Sequence, residues 1–438
     1  MNKYLFILGF AGMALFSACS TSDELAADIP IPSPGLTEEE KALIVEAGKD
    51  SDVPITLGSV ASSRAATRSP LESTGFQIPD GRLSVYCLAT DIQAGAPNIS
   101  AIPGSKEDIK WDGSVTFADW LVNQPAIVSY YNGTGDSPIA GGSSAYSYIQ
   151  FWKDGAVKER YYPFGNWYSY DFFAYYPRVG NSDTSNSGTG KTCFAKLPFD
   201  GKNDVIWAHA SGAGETAQES PTSPIVKAYS SKYIRLKKAE SSEIDIVPEF
   251  EFKHLLSQFV FTIKPHPGDQ KELYDKGFAV SGFKFTEIPT KMQLVVASKE
   301  DSHINGDFED LETPETGNIK VWTVGTDVDP FAGSSTILVA TSESDLTLKN
   351  VGYAMVPPSK TINGTALVDE HTVTLEMKQA SLDAVPNTVV TLPPPEGGFL
   401  PGKIYHMEIE IFNPTKIQAK ATLVGWEDVA LPTVVPVD

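Results

Sequence analysis

The side chains that could bind a metal or act in catalysis are scattered along this 438-residue chain. No two of the six histidines have HxH or HxxxH spacing, and no CxxC pair, GxSxG motif or P-loop occurs. The sequence therefore predicts no enzyme, no catalytic residue, no metal site and no cofactor. The histidines are His209, His254, His266, His303, His371 and His406. For His254 we predict a buried polar anchor.

Two acidic features bear on partners. The run Asp307–Glu312 could supply oxygen ligands to calcium, but it lacks the alternation of ligands around a glycine that a calcium loop needs, so a solvated loop is favoured.

The net charge is −21, from 55 acidic and 34 basic residues, and no basic run occurs. Because nucleic-acid binding needs a concentrated basic surface, we predict no nucleic-acid partner.

Residues 1–18 read as a signal peptide, and Cys19 follows it directly. Lys3 precedes an apolar stretch from Tyr4 to Phe16, which is too short to cross a bilayer comfortably. Leu15-Phe-Ser-Ala-Cys19 resembles a bacterial lipobox, in which the cysteine is acylated after cleavage. The alternative is an ordinary signal peptide with a chance cysteine.

Cys87 and Cys193 are the remaining cysteines, and both lie in strand-like stretches. The sequence leaves two possibilities open: a disulfide in an oxidising compartment, or two small buried thiols.

A strand followed by a cleavable linker precedes the body of the chain. Residues 54–60 are apolar and β-branched, with Ile55, Leu57 and Val60 as the side chains that would pack. The Ala/Ser/Thr-rich linker that follows contains Arg64 and Arg68 and is typical of protease-sensitive segments. Upstream, Thr37-Glu-Glu-Glu40 predicts a capped helix with Leu43, Ile44 and Ala47 on a modest apolar face. Residues 19–68 are thus expected to form a detachable pro-segment.

The rest of the chain predicts an all-β fold, because 35 glycines and 31 prolines interrupt short apolar stretches at close intervals. Phe250 and Phe252 fall on even positions, whereas Phe259, Phe261 and Ile263 fall on odd ones. One flat strand cannot change phase in this way, so we expect a bulge or a crossing between sheets at 254–256. The length suggests two domains, which we place at 69–252 and 253–438.

Aromatic residues crowd the stretch 161–176. The even positions from Tyr168 to Tyr176 form one apolar face of a strand, which favours core packing. Tyr161, Tyr162, Phe164 and Trp167 are less regular and could form an exposed platform for stacking sugars. A removable strand favours a subunit of a surface polymer. A monomeric surface lipoprotein that binds glycans or host surface molecules is the alternative function.

Several motifs together resemble the fimbrillin-like lipoproteins of Bacteroidales, the subunits of type V pili. They are the lipobox at Cys19, the strand before Thr67-Arg68, the aromatic stretch 172–177, Phe252-Lys-His254-Leu-Leu-Ser257-Gln-Phe-Val-Phe261-Thr-Ile263, Pro401-Gly-Lys-Ile-Tyr405, and Gly425-Trp426.

This resemblance implies two tandem transthyretin-like β-sandwich domains with a short amino-terminal helix in the pro-segment. It implies export to the outer membrane as a lipoprotein and cleavage by an arginine-specific protease after Arg68, the better match, or Arg64. The freed groove would accept a strand from another pilin subunit, and the polymer would form an adhesive surface fimbrium. The candidate donor is the carboxyl-terminal tail, with Val429, Leu431, Val434, Val435 and Val437. Pro432 and Pro436 would limit its backbone pairing.

Overall fold

The computed structural model describes residues 37–47, 49–60, 82–94, 96, 121–131, 146–241, 246–326, 328–361, 364, 366, 367, 371–380, 385–412 and 419–428. Most of these residues lie in strands or their connections, so the predicted all-β fold is confirmed. The helices are α1 (Glu38–Ala47), α2 (Ser231–Glu240) and α3 (Gln270–Asp275), with 3-10 turns at Asn181–Asp183 and Ala332–Ser334.

The strands of the amino-terminal half are β1 (Asp50–Pro54), β2 (Leu57–Val60), β3 (Leu83–Ile92), β4 (Leu121–Tyr131), β5 (Tyr146–Lys153), β6 (Ala156–Val157), β7 (Tyr161–Pro163), β8 (Tyr168–Tyr176), β9 (Thr184–Asn186), β10 (Thr192–Pro198), β11 (Ile206–Ala210), β12 (Thr216–Ala217), β13 (Val226–Lys227), β14 (Glu249–Glu251) and β15 (Lys253–His254). Those of the carboxyl-terminal half are β16 (Ser257–Pro265), β17 (Ala279–Ser298), β18 (Phe308–Glu309), β19 (Glu315–Lys320), β20 (Ile337–Leu338), β21 (Lys349–Val356), β22 (Thr372–Lys378), β23 (Thr388–Thr391), β24 (Lys403–Ile411) and β25 (Ala419–Asp428).

Helix α1 begins with the predicted capping box. Thr37 Oγ1 accepts a hydrogen bond from the Glu40 backbone N–H at 3.2 Å, and the Thr37 N–H donates to Glu40 Oε2 at 3.0 Å. Leu43, which we expected on an apolar face, is instead 44% exposed, so that side chain contributes little packing.

Helix α2 was not predicted. Ser230 caps it by accepting a hydrogen bond from the Tyr233 N–H at 3.2 Å, and Tyr233 and Ile234 are buried. The helix contacts the short strands β1, β12 and β13. The signal was present in the sequence as a serine cap followed by apolar residues at helical spacing and by lysines in the last turn.

A nine-stranded sheet forms most of the amino-terminal half, in the order β14-β2-β5-β4-β3-β8-β11-β15 with β6 beside β5. Its two outermost strands, β14 and β15, follow one another directly in the chain. The sheet therefore curls until its edges approach each other, and Phe250 and Phe252 lie in the buried core at this closure, with ring centroids 5.7 Å apart.

Strand β8 is buried on both faces. The even residues lie in the core as predicted, except that Tyr176 is only half-buried, and the odd residues Ser169, Phe173 and Tyr175 are buried as well. A central strand covered on both sides loses the alternation that marks a half-exposed strand, which explains the difference.

The carboxyl-terminal half contains two facing sheets. One is four-stranded, in the order β21-β16-β24-β25, and the other follows β23-β22-β17-β10-β9 with β18, β19 and β20 beside β17. Phenylalanines join them: the rings of Phe259 and Phe285 lie 5.3 Å apart, and those of Phe261 and Phe283 lie 4.7 Å apart. These edge-to-face and tilted contacts are typical of a β-sandwich core.

The predicted crossing between sheets at residues 254–256 is confirmed. Strand β15 pairs with β11 in the nine-stranded sheet, whereas β16 pairs with β21 and β24 in the four-stranded one. The phase change of the phenylalanines thus marks the point where the chain leaves one sheet for another.

The 20-residue strand β17 connects the two halves. Its first residues pair with β22, and its last residues pair with β10, which comes from the amino-terminal half of the chain. The sequence reads as two short strands here, at 280–285 and 292–297. The structure joins them into one, and bulges near Gly282, Ile288 and Lys291 let this strand pair with several neighbours. The domain boundary at 252/253 stays a prediction.

Candidate functional site: the groove that holds the amino-terminal strand

The predicted strand at 54–60 is the second part of an extended segment with two short strands, which we call the leading segment (residues 50–60). Strand β1 runs antiparallel to β7, and β2 runs antiparallel to β5 and parallel to β14. Ile55 and Thr56 lie between β1 and β2. Sequence reasoning missed β1 because Pro54 was read as the boundary of the strand.

Strand β2 lies inside the nine-stranded sheet and has a neighbour on each side. Leu57 pairs with Ile149 of β5, and Gly58 pairs with Glu249 of β14. The Gly58 N–H donates to the Pro248 carbonyl at 3.0 Å. Neighbouring strands are about 4.8 Å apart. Without β2, therefore, β5 and β14 would face each other across a gap one strand wide.

The side chains of the leading segment alternate between the core and the surface. Ser51, Val53 and Ile55 are each 7% exposed and Leu57 is fully buried, whereas Asp52 and Pro54 are exposed. This period of two continues from Ser51 to Gly58. Burial of Val53, Ile55 and Leu57 stabilises the docked segment by about 1.5–3 kcal/mol per side chain.

Two further backbone hydrogen bonds hold the chain outside the two strands, one between them and one just before β1. The Ile55 N–H donates to the Arg160 carbonyl at 2.7 Å, and the Phe164 N–H donates to the Lys49 carbonyl at 2.7 Å. Pro54 lies opposite Tyr161 where the register is irregular, so its missing N–H costs no regular ladder bond.

Two arginines flank the outer face of the leading segment. Arg235 of helix α2 donates from Nε to Asp52 Oδ1 at 3.1 Å and contacts the same oxygen through Nη2, and these bonds lower the pKa of Asp52. Arg160 acts on Asp50, where burial raises the carboxyl pKa and the guanidinium opposes the rise. The sequence offered no signal for either pairing, since Asp52 and Arg235 are far apart along the chain.

The predicted site residues fall into two groups. Ile55 and Leu57 lie in the groove, and Val60 ends β2. Cys19, Arg64 and Arg68 lie outside the described residues, as does the tail with Val429, Leu431, Val434, Val435 and Val437. The lipidation, cleavage and donor assignments stay predictions.

The central motif and the late Pro401–Tyr405 motif meet at the crossing between sheets. Ser257 Oγ donates to the Leu400 carbonyl at 2.9 Å, and the Gly402 N–H donates to the Leu256 carbonyl at 2.8 Å. Gly402 has φ of +68°, which favours glycine. His254 is buried and pairs through Nδ1 with Asp204, which confirms its predicted place as a polar anchor.

The aromatic residues proposed as a sugar platform do not share one exposed surface. Tyr162 and Trp167 are buried, Tyr161 is half-buried, and Phe164 is 42% exposed. A stacking platform needs exposed ring faces, and here the core holds two of the four side chains.

The acidic run 307–312 is only in part the solvated loop we expected: Asp310 and Glu312 are exposed, but the first residues of the run are not. Asp307 and Phe308 are buried, because Phe308 belongs to β18 and packs on Phe199. Glu309 Oε1 accepts a hydrogen bond from His303 Nδ1 at 2.8 Å. Within the described ranges, no group of three or more His, Cys, Asp and Glu side chains is arranged to hold a metal ion.

The two strand cysteines are buried thiols, and no disulfide joins them. Burial raises the pKa of the Cys87 thiol well above its usual value. In the part of the chain that the structure describes, no helix has both the length and the apolar composition needed to cross a membrane.

The family model described as fimbrillin-like matches residues 119–426, well over half of the chain. The chain belongs to the fimbrillin-like family. The match includes the crossing motif at 252–263 and the Pro401–Tyr405 motif, so the predicted resemblance is confirmed. None of the curated proteins matches this fimbrillin-like chain.

Solved structures that are similar to this fimbrillin-like chain share little sequence with it. A fimbrial protein from Bacteroides vulgatus is 12% identical, with 85% of this chain and 99% of that chain covered and a TM-score of 0.43. A carboxyl-terminally truncated tip fimbrial protein from Porphyromonas gingivalis is 10% identical, with 84% and 99% covered and a TM-score of 0.34. The fimbrial anchor protein of the same organism is also 10% identical, with 87% and 99% covered and a TM-score of 0.29.

Proposed function

We propose that this chain is a structural subunit, at the stalk or tip, of a cell-surface fimbrium that supports adhesion. The precursor is exported to the outer membrane as a lipoprotein acylated at Cys19. A protease then cuts after Arg68, or after Arg64, and the strand Ile55–Val60 leaves with the pro-segment. A strand from another subunit fills the groove, and repetition of this donor-strand exchange builds the polymer. The role is structural rather than catalytic.

The position of β2 carries this proposal. A strand at the edge of a sheet could leave without opening a slot, but β2 lies between β5 and β14. Its departure would expose unpaired backbone on both neighbours together with the core that Leu57 covers. An exposed sheet edge binds an extended peptide by backbone pairing, and apolar pockets select its side chains.

The leading segment is also placed so that it can be removed. It is connected to the body through residues 61–81, which contain both candidate arginines. A cut there leaves the segment held only by non-covalent contacts. Three buried apolar side chains at about 1.5–3 kcal/mol each, with backbone pairing, hold it firmly but reversibly, and the cut makes its loss permanent.

Amino-terminal sequencing of the protein from purified surface fibres tests the proposal. We expect the mature chain to begin at residue 69 or 65. Combined Arg64→Ala and Arg68→Ala substitutions should keep the precursor intact and stop its incorporation into fibres. Arg82→Ala, which changes an exposed arginine after the linker, is the matched control and should assemble normally.

Two results would overturn this proposal. One is acylated Cys19 still present in subunits within fibres. The other is unchanged fibre assembly in the variant that lacks both linker arginines.

A further inference from the structure

A small polar cavity lies at the crossing between sheets. Its lining includes residues from both sides of the crossing: Asp204, His254, Gln258, Met355 and Lys403. His254 ends β15 of the nine-stranded sheet, and Gln258 lies near the start of β16 of the four-stranded sheet. The cavity is therefore placed where the chain passes from one sheet to the other.

The backbone of the crossing is hydrogen-bonded on both sides. The Leu255 N–H donates to the Val205 carbonyl at 2.8 Å, and the Leu256 carbonyl accepts from the Gly402 N–H at 2.8 Å. Leu255 and Leu256 are both buried. These contacts hold the main chain between His254 and Gln258, whose side chains both line the cavity.

Three buried polar atoms at the cavity have no protein partner among the described residues. They are His254 Nε2 and the Nε2 and Oε1 atoms of Gln258. His254 is 5% exposed and Gln258 is 3% exposed. Burial of a polar group without a hydrogen bond costs free energy, and most such groups in native proteins have a partner. We therefore expect an occupant that bonds to both side chains.

The pairing of His254 with Asp204 determines what this occupant must offer. Asp204 Oδ2 pairs with His254 Nδ1, and Asp204 Oδ1 accepts from the Val205 N–H at 2.8 Å. When Nδ1 carries the proton, the neutral imidazole has a lone pair at Nε2. The Gln258 amide provides both a donor and an acceptor. Water can donate to Nε2 and can also bond to either end of the amide.

The size of the cavity fits a single water. About 10 Å³ of it is open to the centre of a water-sized sphere. This is roughly the volume that one buried water needs, and such waters make about three hydrogen bonds. His254 and Gln258 provide three polar atoms for that purpose.

Ions fit this cavity less well than water. A zinc ion would find one imidazole nitrogen and one amide oxygen, fewer protein ligands than zinc sites have, and the cationic Lys403 is also part of the lining. A halide ion would lie near the Asp204 carboxylate, which carries the same sign of charge. A neutral water avoids both repulsions.

We propose that one ordered water occupies this cavity and bridges His254 Nε2 to the side-chain amide of Gln258. The hydrogen bonds then run from Asp204 through His254 and the water to Gln258. They join β15 of the nine-stranded sheet to β16 of the four-stranded one. The water is a structural ligand of the crossing, and its site does not depend on the proposed role in a fimbrium.

A high-resolution crystal structure of the natural chain from residue 20 onwards tests the site. We expect one peak of electron density about 2.7–3.1 Å from both His254 Nε2 and an atom of the Gln258 amide. A cavity without density, or a peak that contacts only one of the two side chains, would overturn the proposal. Crystals soaked in bromide or in zinc distinguish ions from water, and anomalous scattering from either ion in the cavity would also overturn it.

Substitution of Gln258 measures what the water contributes. Gln258→Met keeps the side-chain volume but removes the amide, so the water loses a partner and the bridge is broken. In urea unfolding, the equilibrium constant for unfolding should rise about tenfold relative to Gln293→Met, the matched control at a half-buried glutamine of β17. An unchanged or lower constant would show that no bridge satisfies Gln258 and would overturn the proposal. If Gln258→Met does not fold, the crystal structure of the natural chain decides.

Discussion

Leu57 lies directly opposite Ile149 across the antiparallel pair of β2 and β5, and both side chains are buried. Leu57 belongs to the segment that we expect to leave the protein, whereas Ile149 belongs to the sheet that we expect to remain. The packing of Leu57 therefore contributes both to the stability of the precursor and to the apolar slot that its departure would open.

Leu57→Ala should loosen the docked leading segment. The removed methyl groups and the cavity they leave are expected to lower the free energy of unfolding of the precursor by about 2–5 kcal/mol. Urea unfolding of the uncleaved chain, followed by tryptophan fluorescence, measures the change. Thr56→Ala, at a half-buried neighbour that lies outside the inward row, should change stability far less. Equal effects from the two variants would contradict the observed alternation.

Asp52→Asn should have only a small effect, although the ion pair with Arg235 is well formed. The Asp52 side chain is 81% exposed, and exposed pairs contribute about 0–1 kcal/mol because water and salt screen them. A double-mutant cycle with Arg235→Gln, measured at low and high salt, gives the coupling energy. A coupling above about 2 kcal/mol would show that this pair, rather than apolar packing, holds the segment.

Ser257→Ala should destabilise the crossing between sheets. The Ser257 hydroxyl is buried and donates to the Leu400 carbonyl at 2.9 Å, so its removal leaves a buried acceptor with one fewer donor. We expect a loss of about 1–3 kcal/mol. Ser281→Ala, at a half-buried serine that donates to the Glu376 carbonyl at 3.2 Å, is the control and should cost less. Thermal unfolding of both variants measures the two losses of stability, and equal losses would contradict this prediction.

Acid should weaken the carboxyl-terminal core through His371. This side chain is buried among Phe259, Phe285 and Phe399, and its Nε2–H donates to the Pro357 carbonyl at 2.9 Å. Burial lowers its pKa to about 4, below the unfolded value of about 6.5. The neutral form thus stabilises the fold fully above pH 6.5, and this contribution is lost as the pH falls towards 4.

The full contribution is about 3 kcal/mol between those pH values. Urea unfolding at pH 7, 5.5 and 4 measures it, and the comparison is with His371→Gln, which cannot be protonated in this range. The variant should be less stable at pH 7 and should lose less stability on acidification. Parallel pH profiles for the two proteins would rule out His371 as the group responsible.

Local patterns were sufficient for several parts of the structure. The Thr37 and Glu40 capping box specified the start of α1, because its hydrogen bonds join residues three positions apart. The phase change between Phe252 and Phe259 located the crossing between sheets, because side chains on a strand alternate with a strict period of two. This stretch was also one of the motifs on which the family resemblance rested.

Other features depend on contacts between distant residues. The sequence indicated a strand near Ile55 but gave no sign that β2 would lie between β5 and β14. It treated the aromatic residues near Trp167 as a possible platform, although burial by surrounding strands places Trp167 in the core. The single long strand β17 also escaped prediction, because its bulges interrupt the local alternation.

The sequence by itself determined the all-β class, the helix cap, the crossing point and the family, since each depends on residue type and short-range spacing. Only the tertiary structure decided that the leading segment fills an internal slot and that Arg235 meets Asp52. Strand order and long-range pairing arise from the burial of apolar surface across the whole chain, and no local pattern encodes which strands become neighbours.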